Sequence, residues 1–207
     1  MVKLKEYTDD KVLWSDIKAG NKSCFNQLFR KYYSELFYYG IKIFPDEDCV
    51  KESIQEIFIR IWDTREKLAN VENVKSYLIV SVRRMILVQK NKSKHNIDLK
   101  QVDRSPFLFE VNEFEKHNEI SDEIRNILLA AINSLTRKQR ELIMLFFYHE
   151  LTYPEISNIL EISIQATRNL MYRTLIHLRK SIGDESLNSM KNKFFLLFSS
   201  VTIKKVE

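Results

Sequence analysis

Glycine and proline are scarce in this sequence, which has three of each among its 207 residues. Antiparallel sheets and dinucleotide-binding folds need glycine in tight turns and phosphate loops. The scarcity of glycine and proline argues against both fold classes and favours helices joined by short loops. Hydrophobic residues make up 44% of the chain, which is enough for real cores.

Cysteine is scarce as well, and Cys24 and Cys49 form no CxxC pair. We therefore predict no disulfide framework, and reduced thiols fit a cytoplasmic protein. The charged N-terminus does not resemble a signal peptide. No apolar run approaches the ~20 residues of a transmembrane helix, so we predict a cytoplasmic location.

Motifs that carry catalysis or hold a cofactor are also missing. The sequence has no Walker loop and no G-x-G-x-x-G. Its four histidines are scattered, and none has a partner at the i, i+4 spacing of a helical metal site. We predict that the protein is not an enzyme, has no metal, cofactor or catalytic site, and takes no small-molecule substrate.

Charge is distributed unevenly along the chain. Residues 1–95 carry 18 basic and 13 acidic side chains, residues 96–122 carry three and seven, and residues 123–183 carry eight and five. Two basic segments flank an acidic one, which suggests a polyanion such as nucleic acid as the partner. An ordinary solvated surface is the alternative explanation for a net charge of +5.

Apolar periodicity predicts helices in the first segment. One is predicted from Trp14 to Leu36, and a second begins at Pro45 and runs to Trp62. After a polar loop, a third runs from about Val74 to Lys90.

The periodicity fades in residues 96–121, which are polar and acidic, so we predict a flexible linker there. The resulting fold class is all-α, with two small helical domains at 1–95 and 122–183. An apolar tail of unknown role, 184–207, follows. We consider two roles for it: packing on the second domain, or contact with a regulatory partner or membrane surface.

Helix-start signals are concentrated in the second domain. Thr136–Gln139 and Thr152–Glu155 both have the capping-box pattern. Ser163 is a good N-cap for a last helix that runs from Ile164 past Arg179. A short helix, a three-residue turn and a longer basic helix form a helix-turn-helix. An ordinary helical hairpin with a solvated basic face is the alternative.

The last helix has the properties of a recognition helix. No acid occurs between Ile162 and Gly183, so nothing on this helix repels phosphate. Arginine and asparagine make paired hydrogen bonds to base edges in the major groove. The predicted DNA contacts of this domain are Thr152, Ser163, Gln165, Arg168, Asn169, Tyr172 and Arg173.

Two motifs of the second domain are L-T-R-K-Q-R-E from Leu135 and L-T-Y-P-E-I-S-N-I-L from Leu151. They are similar to L-P-x-x-x-R-E and L-S-Y-x-E-I-A-x-x-L-G-I-S, so the domain resembles region four of extracytoplasmic-function (ECF) sigma factors. In that family the domain binds the minus-thirty-five promoter element. Glu161 stands where the family has the turn glycine, so a positive φ there would strain it.

The first domain resembles sigma region two. V-K-E-S-I-Q-E-I-F-I-R-I-W from Val50 is similar to the family's A-E-D-L-V-Q-E-V-F-x-x-x-W, a helix that docks on the β′ clamp helices of RNA polymerase. The resemblance implies docking roles for Glu52, Gln55 and Glu56. Their i, i+3, i+4 spacing places them on one face of the helix. Without the resemblance, the simpler interpretation of these polar residues is a solvent-exposed face with no partner.

The next segment resembles the part of region two that recognises and opens the minus-ten element. S-Y-L at 76–78 and R-R at 83–84 are similar to the family's W-L-x-x-I-A-R-N. The loop 70–74 lies where the family captures an extruded base, and asparagine supplies both a donor and an acceptor to read one. The implied contacts are Asn70, Asn73, Tyr77, Arg83, Arg84 and Lys90.

Together the resemblances imply an ECF-type bacterial sigma factor that directs transcription initiation. Its implied partners are core RNA polymerase (the β′ clamp helices and the β subunit), promoter DNA and an anti-sigma factor. A conventional helix-turn-helix regulator that acts without polymerase is one alternative. A module that only inhibits another sigma factor or polymerase is a second, although such an inhibitor needs no groove-reading helix. An enzyme of unknown type is a distant third.

Overall fold

The computed structural model describes residues 9–93 and 122–182, which form helices and connecting turns without a strand. These residues fall into two compact units, which we call the N-terminal lobe (9–93) and the C-terminal lobe (122–182). The all-helical architecture confirms the predicted fold class. The predicted linker and the apolar tail lie outside the described residues. No helix in the two lobes is long and apolar enough to cross a membrane.

The N-terminal lobe is built from long helices around one core. In chain order they are α1 (Asp10–Lys18), α2 (Lys22–Ile43), α3 (Glu47–Asp63) and α4 (Val74–Ser93), with a 3-10 turn (Arg65–Lys67) after α3. Helices α2, α3 and α4 all pack against one another, and α1 packs on α2.

The prediction of one helix over 14–36 is wrong, because the chain turns between α1 and α2. Gly20 has a φ of 88°, which glycine adopts without a steric penalty. Asn21 then caps α2, since its Oδ1 accepts from the backbone N–H groups of Ser23 and Cys24 at 3.0 and 3.3 Å. Helix α2 also continues to Ile43, beyond the predicted end.

Helix α3 begins at Glu47, two residues after the predicted start at Pro45. Asp46 is its N-cap and accepts a hydrogen bond from the backbone N–H of Cys49 at 3.0 Å. Glu47 and Asp48 lie in the first turn, where the helix dipole favours acidic side chains.

Apolar side chains from all four helices fill the core of this lobe. The fully buried side chains include Leu13, Ile17, Leu28, Leu36, Tyr39, Ile54, Ile61, Leu78, Ile79 and Ile86. This packing fixes which faces of α3 and α4 remain exposed.

The C-terminal lobe consists of shorter helices: α5 (Asp122–Asn133), α6 (Arg137–Ile143), α7 (Tyr153–Leu160) and α8 (Ile164–Ile182). A π-helical turn, Met144–Tyr148, extends α6 and was not predicted. Helix α8 packs on α5, α6 and α7, so its inner face is buried and its outer face is held in a fixed orientation.

Candidate nucleic-acid and protein interfaces

The start of α7 is fixed by a capping box, as the sequence predicts. The backbone N–H and the hydroxyl of Thr152 both donate to Oε2 of Glu155, at 2.7 and 2.6 Å. Leu151 and Ile156, on either side of this box, are both buried. Thr152 is half-buried, and its hydroxyl takes part in the cap that fixes the start of α7.

The turn between α7 and α8 contains the expected strain. Glu161 has φ 54° and ψ 47°, in the left-handed region. The backbone N–H of Ile162 donates to the carbonyl of Ser157 at 3.1 Å and closes the turn. Ser163 then caps α8, because its Oγ accepts from the backbone N–H of Ala166 at 3.1 Å.

The inner face of α8 is buried mainly through four positions: Thr167, Met171, Thr174 and Leu178. The hydroxyls of Thr167 and Thr174 donate to the carbonyls of Ser163 and Leu170, which satisfies them inside the lobe. Leu170 and Leu175, at the edges of this face, are only half-buried.

The outer face of α8 carries every side chain that the sequence assigned to base contact on this helix. The exposed residues are Gln165, Arg168, Asn169, Tyr172 and Arg173. Tyr172 is 68% exposed, so its ring is accessible to a partner. Nε2 of Gln165 donates to Oδ1 of Asn169 at 3.2 Å, so the two amides are paired one turn apart.

Arg168 also lies close enough to Tyr153 to act on its ionisation. Burial raises the pKa of Tyr153, and the positive charge of Arg168 opposes that rise. The ring of Tyr153 stacks on Phe146, with centroids 5.2 Å apart.

In the N-terminal lobe, the three predicted docking residues lie together. Glu52, Gln55 and Glu56 are exposed on α3 and line a groove between α3 and α4. Nη2 of Arg60 donates to Oε1 of Glu56 at 3.2 Å. We call this groove, with its eight lining residues, the α3–α4 groove: Glu52, Gln55, Glu56, Ile59, Arg60, Met85, Val88 and Gln89.

Sequence reasoning missed the apolar part of the α3–α4 groove. Ile59 and Val88 are 47% and 50% exposed, so two large apolar side chains lie open beside the carboxylates. Sγ of Cys49 donates to Oε1 of Gln89 at 2.9 Å and holds that amide in place. Ile59 lies four residues after Gln55, and a helical projection would have placed it on the polar face.

The predicted base-capturing loop lies between the 3-10 turn and α4, and we call residues 68–73 the Asn70 loop. Asn70 is exposed. Asn73 is half-buried and caps α4, since its Oδ1 accepts from the backbone N–H of Ser76 at 3.1 Å. Asn73 therefore stabilises the start of α4, whereas the side chain of Asn70 is exposed on the loop.

Helix α1 holds the Asn70 loop, which sequence reasoning did not predict. Nε1 of Trp14 donates to the carbonyl of Ala69 at 3.0 Å, and Nζ of Lys18 donates to Oδ1 of Asn70 at 2.6 Å. These contacts join segments more than fifty residues apart, so no local pattern in the sequence could indicate them.

The remaining residues predicted to contact the minus-ten element are spread over α4. Tyr77 is half-buried with its ring edge-to-face on Trp14, 5.2 Å between centroids. Arg84 is exposed and, seven residues after Tyr77, shares its helix face. Arg83 is half-buried. Lys90 is buried at 7% exposure, which does not favour its predicted DNA contact.

Within residues 9–93 and 122–182, no group of histidine, cysteine or acidic side chains is arranged to hold a metal ion. The two cysteines are free thiols. Burial raises the pKa of both, and the Asp16 carboxylate adds to the rise at Cys24.

Comparison with known proteins gives a family match in the C-terminal lobe. Residues 125–178 match the model of the family described as sigma-70, region 4. The matched range includes α6, α7, the turn at Glu161 and most of α8, and so contains the exposed outer face of α8. No curated protein matches the chain.

Two solved structures share the fold over most of the chain. One is CnrH in complex with the cytosolic domain of CnrY, at 16% identity and a TM-score of 0.53, covering 83% of this chain and 95% of that one. The other is the sigma factor RpoE in complex with the anti-sigma factor NepR from Bartonella quintana, at 16% identity and a TM-score of 0.51, covering 76% and 96%. At this identity the likeness establishes the fold.

Proposed function

We propose that the chain is an RNA polymerase sigma factor of the ECF type, which directs promoter-specific transcription initiation in the bacterial cytoplasm. The observation that carries the proposal is the helix-turn-helix inside the sigma-70 region 4 match, with an exposed, acid-free recognition face. A fold shared with the sigma factor RpoE over 76% of the chain supports it further.

In this function, α8 enters the major groove of the minus-thirty-five element. Arg168 and Asn169 make paired hydrogen bonds to base edges, and exposed Tyr172 supplies an apolar and hydrogen-bonding contact. The Thr152 capping box and the Ser163 cap fix the starts of α7 and α8, the two helices of the helix-turn-helix.

The α3–α4 groove is the surface for core polymerase. Its exposed apolar side chains, Ile59 and Val88, lie next to the carboxylates of Glu52 and Glu56. An apolar centre with a charged rim is the arrangement of a protein-binding hot spot. The β′ clamp helices are the partner that this surface receives.

The Asn70 loop and the exposed face of α4 engage the minus-ten element. Asn70 reads a base extruded from the stack, while Tyr77 and Arg84 contact the neighbouring strand. Binding to the melted strand drives opening, so the protein needs no catalytic site of its own. An anti-sigma factor inhibits the protein by covering the surface for core polymerase.

The conventional helix-turn-helix regulator is the second candidate, since the recognition face alone would serve it equally well. The two candidates differ at the α3–α4 groove, which a regulator acting without polymerase would not need. The test is run-off transcription with purified core polymerase from the same source, on a pool of promoters from the same genome.

Specific new transcripts are expected with the wild type and not with Gln55→Ala/Glu56→Ala. The matched control is Asp63→Ala, which removes an exposed carboxylate from α3 outside the groove. DNA binding without transcripts and without association with core polymerase would overturn the proposal in favour of the regulator.

A further inference from the structure

Helix α1 supports the Asn70 loop from one face. Lys11, Trp14 and Lys18, at i, i+3 and i+7, all point to the loop. Trp14 is 3% exposed, and its indole N–H holds the loop backbone at Ala69. Nζ of Lys11 lies 3.2 Å from Oε2 of Glu72, on the other side of Asn70 in the sequence.

Helix α1 is itself firmly placed, so it can act as a support. Leu13 and Ile17 are fully buried against the lobe. At its start, the carboxylate of Asp10 accepts hydrogen bonds from the hydroxyl of Tyr32 and, at 2.5 Å, from Nζ of Lys31, both on α2. The contacts to the loop are therefore made from a packed helix.

The contact between Lys18 and Asn70 determines which edge of the amide faces outward. An ammonium group has three donors and no acceptor, so it holds the amide through its oxygen, at 2.6 Å. The NH₂ group of Asn70 then points away from Lys18, and the side chain is exposed. Without the lysine, the amide would be equally able to present its oxygen.

The second asparagine of the loop is occupied elsewhere. Oδ1 of Asn73 accepts from the backbone N–H of Ser76, and the start of α4 depends on that cap. The structure thus assigns a structural part to Asn73 and leaves the outward NH₂ of Asn70 to meet a ligand.

We infer that Lys18 is a positioning residue that makes Asn70 a hydrogen-bond donor, so that the loop selects an extruded base by an acceptor atom on its edge. The acceptor is a ring nitrogen or a carbonyl oxygen of the base. The inference rests on the proposed function, in which this loop captures a base of the minus-ten element.

The test uses the full chain with core polymerase on a recognised promoter, with each minus-ten position changed in turn to all four bases. Asn70→Ala is expected to lower the preference for the favoured base at one position by about tenfold, the value of one hydrogen bond of this kind. Lys18→Met is expected to weaken the preference at that same position and at no other. Asn70→Asp, which has the same shape but only acceptors, is expected to lose the preference and gain activity on a base that offers an amino group.

The matched control is Lys22→Met, which removes the same charge from the exposed first residue of α2. The inference is overturned if Lys18→Met lowers transcription evenly on all templates, if Lys22→Met gives the same position-specific loss, or if Asn70→Asp keeps the wild-type preference. Complete absence of promoter-specific transcripts with the wild type would instead overturn the proposed function, and the inference with it.

Discussion

The backbone of Gly40 on α2 lies so close to Val50 on α3 that a Cβ at position 40 would meet Cγ1 of Val50 at 2.5 Å. Cδ1 of Ile86, on α4, would be 3.1 Å away. One glycine therefore sets the separation of three helices, and two of them form the proposed polymerase-binding groove.

Gly40→Ala is expected to destabilise the N-terminal lobe. Overpacking a tight site costs about 1–3 kcal/mol, which exceeds the ~1 kcal/mol gained when alanine replaces a helical glycine. Chemical denaturation should show a lower free energy of unfolding, with Ser34→Ala on the exposed surface of α2 as the control. A more stable variant would mean that α2 and α3 separate easily.

Glu161→Gly is expected to stabilise the C-terminal lobe. A non-glycine residue in the left-handed region costs roughly 1–2 kcal/mol, and glycine removes that cost. Glu161→Ala is the matched control, because it removes the same side chain but keeps the Cβ. Denaturation should show a gain for glycine that alanine lacks; equal effects would attribute the change to the carboxylate instead.

Local signals in the sequence predicted the helix starts well. Asp46, Thr136, Thr152 and Ser163 are all caps in the structure, because a cap depends on residues two or three positions away. The break at Gly20 was missed, although Gly20 and Asn21 are typical of a helix end and a new helix start. Apolar periodicity continues on both sides of the break, and the predicted helix followed that periodicity.

The candidate sites were predicted less completely, because tertiary contacts decide them. Glu52 and Gln55 were found, whereas Val88 joins their groove only because α4 packs beside α3. Lys18 was missed for the same reason, since it meets Asn70 only in the folded lobe. The predicted docking and DNA contacts themselves remain predictions.

Asn169→Ala is expected to relax the choice of base at one position of the minus-thirty-five element, at a cost of about 1–3 kcal/mol for the preferred base. Its amide is exposed and is paired with Gln165, so it is presented to a partner in a defined orientation. Binding by polymerase containing the variant should be measured on templates with each base in turn. Asn126→Ala, on the exposed side of α5, is the control. A uniform loss on every template would indicate phosphate contact rather than base reading.

Ile59→Ser is expected to weaken association with core polymerase by about tenfold or more, because an apolar side chain at the centre of an interface contributes over 1 kcal/mol. Ile59 is 47% exposed in the free protein, so the substitution should leave the free energy of unfolding nearly unchanged. Val12→Ser is the matched control, since Val12 is a similarly exposed apolar side chain on α1, outside the groove. Titration of fluorescently labelled core polymerase with each variant measures the two affinities. Equal affinities for the two variants would show that Ile59 is not part of the docking surface. The affinity for core polymerase would then come from the charges of Glu52 and Glu56.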